Sequence, residues 1–346
     1  MKLAKIFAAG AVAAMVGTGG AASAQDLTTV NLINPLPRST NFYPLVVAEA
    51  LGYFADEGVE VNVLPSDTSI PYVAFLQNGQ ADVAMLDPVE TLSAVAAGSE
   101  INTIYEVMQN APEGIATPAG SDIDSIDDLE GTTVGLVSDR DRSFLQAALN
   151  TVGLSIDDVD TVVLGESGPT LAAAMRDGNV SAISGAAPDW IALMVNGIEV
   201  RMITPEELLA SPANTFAVNA DRVEELRDPM EGFLRAWSKG MYVSTFNVDA
   251  VAEMLRSAVP AEWENEEAGQ LFLEMSIGMN VSTTERLGDL QRDVWTDLQP
   301  QYVEAGAIEQ AIPVDEFLND TYIDAANDFS RDEVEEDVEA WVAENM

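Results

Sequence analysis

Between Val30 and Pro88 the apolar positions change rhythm repeatedly. Val30-Asn31-Leu32-Ile33 and Val59-Glu60-Val61-Asn62-Val63 keep a period near two, while Tyr43 to Phe54 suits a helix, so the order is strand, helix, strand. Gly58 stands where the C-cap of that helix belongs. A second round predicts a helix over Ile70 to Asn78. After it comes Asp82-Val83-Ala84-Met85-Leu86-Asp87, an apolar run suited to a strand covered on both faces. Together these make a βαβαβ half-domain.

The alternation continues with a helix over Val89 to Ala97 and a strand over Ile101 to Met108. Gln109 to Gly120 is rich in turn residues and predicts a crossing into a second domain. There the pattern starts again, with strands over Val134 to Val137, Thr161 to Leu164 and Val180 to Gly185, each followed by a helix. Thr215 to Asn219 reads as one more strand. Beyond it the chain is helical: Met230 to Val243, Val248 to Ala258, Glu267 to Gly278, Glu285 to Ala305 and Arg331 to Asn345. Phe233, Trp237 and Met241 recur at three or four, the spacing of a helix packed on one side.

The run Ala48-x-x-x-Gly52-Tyr53-Phe54-x-x-x-Gly58-Val59-x-Val61, followed by Leu76-x-x-Gly79-x-Ala81-Asp82-Val83-Ala84, resembles the opening of the nitrate/sulfonate/taurine-type substrate-binding proteins of ABC importers. That group also contains binders of thiamine-precursor-like molecules. The likeness extends over nearly the whole chain after its first 24 residues. It implies an α/β, two-lobe periplasmic-binding-protein fold of type II, each lobe a mostly parallel sheet flanked by helices, with a helical C-terminal region. The expected organisation is a first part of lobe 1 over 25–112, lobe 2 over 113–214, and the return strand and C-terminal helices of lobe 1 over 215–346.

The first 24 residues have their own character. Lys2 and Lys5 precede an apolar stretch from Ile6 to Val16, and Ala22-Ser23-Ala24 precedes Gln25, the pattern of a cleaved secretory signal peptide. The apolar part is too short to span a bilayer. A chain without cysteine has neither a disulfide nor the acylated cysteine of a lipoprotein, so a free periplasmic protein is expected. Removing Lys2 and Lys5 from the 15 basic residues leaves 13 against 58 acidic ones, a net charge of −45. So acidic a surface repels nucleic acid and anionic lipid. It suits hydration at high salt, where the screening length falls to roughly 3 Å at 1 M.

Enzymatic chemistry is limited by what is missing. Without His or Cys the chain has no Ser-His-Asp triad, thiol nucleophile or ordinary zinc site. A eukaryotic relative on the same fold, the pyrimidine-precursor synthase, depends on His and Cys residues that are absent here. The expectation is a binder with no catalytic residues, no metal and no cofactor.

In open α/β sheets ligands sit beyond the carboxyl ends of the strands, at helix N-termini, and two lobes joined by crossing strands close by hinge motion. The candidate segments are therefore Asn34 to Phe42 and Asp87 to Glu90 in the first lobe, and Ser138 to Arg142, Glu166 to Thr170 and Ala186 to Trp190 in the second. Within them we single out Asn34, Pro37, Arg38, Ser39, Asn41, Phe42, Asp87, Ser138, Arg140, Glu166, Ser167, Asp189 and Trp190. Arg38, Arg140 and Arg142 suit bidentate contact with a carboxylate or sulfonate; the competing reading is an ion pair with a neighbouring acid, such as Asp139 or Asp141. Phe42, Tyr43, Tyr72 and Trp190 would stack a flat ring, unless they are core.

The leading expectation is a monomeric solute-binding protein that delivers a small organic anion, a sulfonate or carboxylate, to an inner-membrane permease. The rival ligand is a thiamine-precursor-like or flavin-like heterocycle. A sensory ligand presenter would share the fold and would lack neighbouring permease and ATPase genes.

Overall fold

A computed structural model describes residues 27–346 except 36–37, 66–70, 140, 166, 210, 281 and 305, and the side chain of Glu207. The signal-peptide reading and the candidates Pro37, Arg140 and Glu166 lie outside the described residues.

Among the described residues ten strands form two five-stranded sheets. The first contains β1 (Thr28–Ile33), β2 (Val59–Val63), β3 (Val83–Leu86), β4 (Ile101–Met108) and β10 (Asn214–Asn219) in the order β2-β1-β3-β10-β4. The second contains β5 (Glu113–Pro118), β6 (Thr133–Leu136), β7 (Asp160–Val163), β8 (Ala182–Ala186) and β9 (Val200–Met202) in the order β7-β6-β8-β5-β9. β1 pairs in parallel with β2 and β3, and β6 with β7 and β8. β10 runs antiparallel to β3 and β4, and β5 antiparallel to β8 and β9. In both sheets the one reversed strand is the one that enters from the other lobe. The two lobes thus share one topology, and their like-directed strands end facing the region where the chain crosses.

Strand alternation explains the two faces of the first sheet. Val30 and Leu32 join the main core, whereas Ile33 belongs to a smaller cluster with Tyr72, Leu76, Ala84 and Leu86. The main core is dominated by rings. Phe216 of β10 meets Trp237 edge-on at 4.8 Å and Phe233 at 5.3 Å, and Phe54 stacks on Phe233 at 5.7 Å. Gly240 lets the helix Arg227–Val243 come so close to the helix Tyr43–Ala50 that a Cβ there would lie 2.3 Å from the Pro44 carbonyl oxygen.

Three expectations change. The single helix over Tyr43 to Phe54 stops at Ala50 and resumes at Tyr53, because Gly52 adopts φ +78. The segment 109–120 is more than a crossing loop, since it contains β5; Gly114, which reads as a turn residue, gives Met202 and Thr204 room to pack on the strand. The expected helix over Glu285 to Ala305 is a turn through Gly288 (φ +70), then the short helices Arg292–Asp297 and Gln299–Glu304.

The helix Glu266–Asn280 links the halves. It packs against both the short turn of 3-10 helix Thr40–Phe42 in the first lobe and the helix Ala187–Val195 in the second. The chain after it clamps the crossing. Gln109, just beyond β4, accepts from the Thr283 N–H at 2.7 Å and donates to the Asp289 carbonyl at 2.9 Å. Among the described residues no helix is long and apolar enough to cross a membrane.

Candidate functional site

The carboxyl end of β1 delivers Asn34. Its side chain is fully buried, and neither Nδ2 nor Oδ1 has a hydrogen-bond partner. Leaving such groups unsatisfied costs about 1–3 kcal/mol each, so a fold that keeps them there calls for a reason. The next segment repeats the motif. Ser39, buried, accepts from the Asn41 N–H at 3.2 Å and so caps Thr40–Phe42, while the Thr40 N–H donates to Glu262 Oε2 at 2.7 Å. Thr40 Oγ1 and Asn41 Oδ1 are buried without partners, as is Oδ1 of Asn280 at the end of Glu266–Asn280. Asn280 Nδ2 donates to the Ser276 carbonyl at 2.8 Å and to the Asn41 carbonyl at 3.4 Å.

Beyond β3, Asp87 caps the helix Pro88–Ala96. Its Oδ1 accepts from the Glu90 N–H at 2.7 Å, and its own N–H donates to Glu90 Oε2 at 3.2 Å. Burial raises both carboxyls above the usual range, and for Glu90 the Asp87 charge adds to it. The Tyr302 phenol, on Gln299–Glu304, is likewise raised by burial and by the charges of Asp87 and of Glu113, where β5 begins. The neighbourhood where the first lobe meets the crossing is therefore acidic.

In the second lobe the candidates are tied into their own turns. The Ser138 N–H and hydroxyl donate to Asp141 Oδ2 at 2.6 and 3.0 Å, opening the helix Asp141–Thr151. Ser167 is the N-cap residue of Gly168–Arg176, with no side-chain capping bond. Asp189 Oδ2 accepts from the Ala186 N–H at 2.8 Å, and Gly185 has no Cβ to block that carboxylate.

The arginines and aromatics resolve differently. Arg38 forms a two-bonded ion pair with Glu49, and Arg142 pairs with Asp139 at 2.9 Å and donates to Thr161 Oγ1 at 2.7 Å. Every other described basic side chain is also engaged. Most are in ion pairs, Arg176 bonds the Asn196 carbonyl, and Arg331 lies over the Tyr242 ring. Phe42, Tyr43, Tyr72 and Trp190 are all buried, and Phe42, Tyr43 and Trp190 belong to the main core, which accounts for them without a ligand. A surface cavity of about 450 Å³ lies elsewhere, lined by Glu57, Arg235, Lys239 and the start of Arg331–Asn345, and its two cations already share Glu57.

The structure thus places Asn34 at the carboxyl end of β1, brings Ser39, Thr40 and Asn41 together with Asn280, and places Asp87 at the end of β3 with Glu90 and Tyr302 nearby. Sequence reasoning missed Thr40, Asn280 and Tyr302. Thr40 lies inside a segment already singled out. Asn280 ends an otherwise ordinary helix, and Tyr302 sits in a segment read as packing, so neither carries a local signal.

Residues 39–246 match the family described as NMT1/THI5 like. The riboflavin-binding protein RibY of Chloroflexus aurantiacus is 25% identical over 295 residues, covering 82% of each chain. The 4-amino-5-hydroxymethyl-2-methylpyrimidine phosphate synthase of Schizosaccharomyces pombe is 25% identical over 137 residues, 40% of this chain and 39% of the synthase. Among solved structures, the periplasmic aliphatic sulphonate binding protein SsuA of Escherichia coli superposes with a TM-score of 0.65 at 15% identity, covering 83% of this chain and 91% of that one. This is the fold that the resemblance implied.

Proposed function

We propose that this chain, which belongs to the NMT1/THI5-like family, is the periplasmic solute-binding component of an ABC importer and holds one small molecule between its lobes. The observation that carries this reading is Asn34, whose fully buried amide has no partner at the strand end where such folds take their ligands. Closure of the lobes around a solute, followed by release to a permease, accounts for two similar sheets joined by reversed crossing strands. Substrate turnover forms no part of the reading, since the chain has neither His nor Cys.

For the ligand, the rival named from the sequence becomes the better supported. A sulfonate or carboxylate is favoured by an available cation, and of the candidate arginines that are described, Arg38 and Arg142 are both paired. Asp87, Glu90 and Glu113 would repel it. A neutral, nitrogen-bearing ring suits the amide and hydroxyl groups at β1, and a riboflavin-binding protein is among the relatives.

The test is a thermal-shift panel on the mature protein in molar salt, with riboflavin, a 4-aminopyrimidine, taurine and methanesulfonate. A ligand at 100 times its Kd stabilises by about 2.7 kcal/mol, a shift of several degrees. A shift with the rings alone supports the heterocycle reading. A shift with methanesulfonate restores the anion.

A further inference from the structure

We propose that Asn280, together with Thr40 and Asn41, forms a hydrogen-bond-accepting wall of the ligand site that reads N–H and O–H groups on the bound molecule. The proposal rests on the interlobe-binding reading and goes beyond it, because Asn280 lies outside the matched family segment, which ends at residue 246.

Three observations converge. Thr40 Oγ1, Asn41 Oδ1 and Asn280 Oδ1 are all buried side-chain oxygens without partners. They belong to one junction, since Asn280 Nδ2 reaches the Asn41 carbonyl at 3.4 Å and the short helix Thr40–Phe42 packs on Glu266–Asn280. The helix that Asn280 ends also packs on Ala187–Val195 of the second lobe.

The chemistry sets the partner. Both Asn oxygens accept only, and a hydroxyl accepts as readily as it donates. Three donors at this junction are already spent, Asn280 Nδ2 on two carbonyls, the Thr40 N–H on Glu262 Oε2 and the Asn41 N–H on Ser39 Oγ, while Asn34 Nδ2 and Trp263 Nε1 are buried without partners. A molecule presenting several N–H or O–H groups would satisfy the wall. An anion without donors would meet acceptor oxygens and the Glu262 carboxylate. The ligand class is therefore a neutral, donor-rich small molecule, read in part by a C-terminal helix.

Thr40→Val is the discriminating variant. It keeps the side-chain shape and removes a hydroxyl that makes no hydrogen bond within the chain. Its ligand-free melting temperature should stay level or rise, while calorimetry with riboflavin or a 4-aminopyrimidine should show Kd weakened about tenfold, the worth of one hydrogen bond lost against a buried group. Asn280→Ala should weaken the same probe at least as much. If both variants bind the wild-type probe within twofold while Asn34→Leu loses it, the wall is structural, and the proposal falls with the interlobe reading intact. Wild-type protein that binds methanesulfonate and neither ring overturns the proposal and leaves a solute binder. Wild-type protein that binds no probe overturns the proposal together with the reading it rests on.

Discussion

The Arg38 guanidinium holds the Glu49 carboxylate through two hydrogen bonds, Nε to Oε2 at 2.9 Å and Nη2 to Oε1 at 2.6 Å. The pair joins the chain beyond β1 to the end of the helix Tyr43–Ala50, and the arginine side chain remains 41% exposed. Exposed ion pairs contribute about 0–1 kcal/mol, even when their geometry is good. Arg38→Ala should therefore lower unfolding stability by less than about 1 kcal/mol and leave ligand affinity within twofold. Denaturant titration and calorimetry on one preparation test both. A large loss of affinity without loss of stability would return Arg38 to the ligand site.

Asn34 should behave in the opposite sense. Both of its amide atoms are buried and unpartnered, so Asn34→Leu, which keeps the branched four-atom side chain while adding the bulk of two methyls, removes an unsatisfied group. Stability without ligand should rise by about 1–2 kcal/mol. Binding of whatever probe stabilises the wild type should fall tenfold or more. A variant that is less stable would mean the amide satisfies an internal need, and its role in binding would lose its support.

Much of the fold was legible because it rests on periodicity. β1 to β4 and β10 follow from alternating or continuous apolar runs, and the ring-lined stripe of Arg227–Val243 from its spacing. β5 was obscured because Gly114 and Pro118 imitate a turn, although Gly114 is there to let Met202 and Thr204 approach. The candidate site was legible only by position. The loops after β1 and β3 hold the unusual groups, but residue type misled there and at the start of Ala187–Val195. Arg38 looked like a clamp and is paired with Glu49, Trp190 looked like a stacking platform and is core, and Asn34 owes its interest to a burial that no sequence pattern reports.

The charge of the chain predicts a response to salt. A net charge of −43, or −45 without Lys2 and Lys5, repels itself in the compact state. Nearly all the described cations are already committed to local pairs, so few remain to offset the surplus. Screening at 1 M salt shortens the interaction range from roughly 10 Å at 0.1 M to 3 Å. The melting temperature of the chain from Gln25 onward should therefore climb steadily from low to molar sodium chloride. An unchanged value across that range would mean the acidic surface is no adaptation to salt.

Glu106 gives a prediction with a defined pH window. It is buried on β4, where Oε1 accepts from the Gln291 N–H at 2.8 Å and Trp295 Nε1 at 2.9 Å, and Oε2 from Gln291 Nε2 at 2.9 Å. Burial pushes its carboxyl up from 4.5 to about 7, overcoming those three donors. For an acid raised in the folded state, the unfolded chain ionises first, so stability is complete below pH 4.5 and is lost as pH rises toward 7. A shift of that size corresponds to a loss on the order of 3 kcal/mol. The other carboxylates also titrate over this range, so the informative quantity is the stability of wild type minus that of Glu106→Gln, measured by urea unfolding in steps of pH. That difference should fall between pH 4.5 and pH 7 and level off above. A difference that rises with pH would mean the three N–H donors outweigh burial and hold Glu106 ionised, making it a fixed anchor for the segment that clamps the crossing between the lobes.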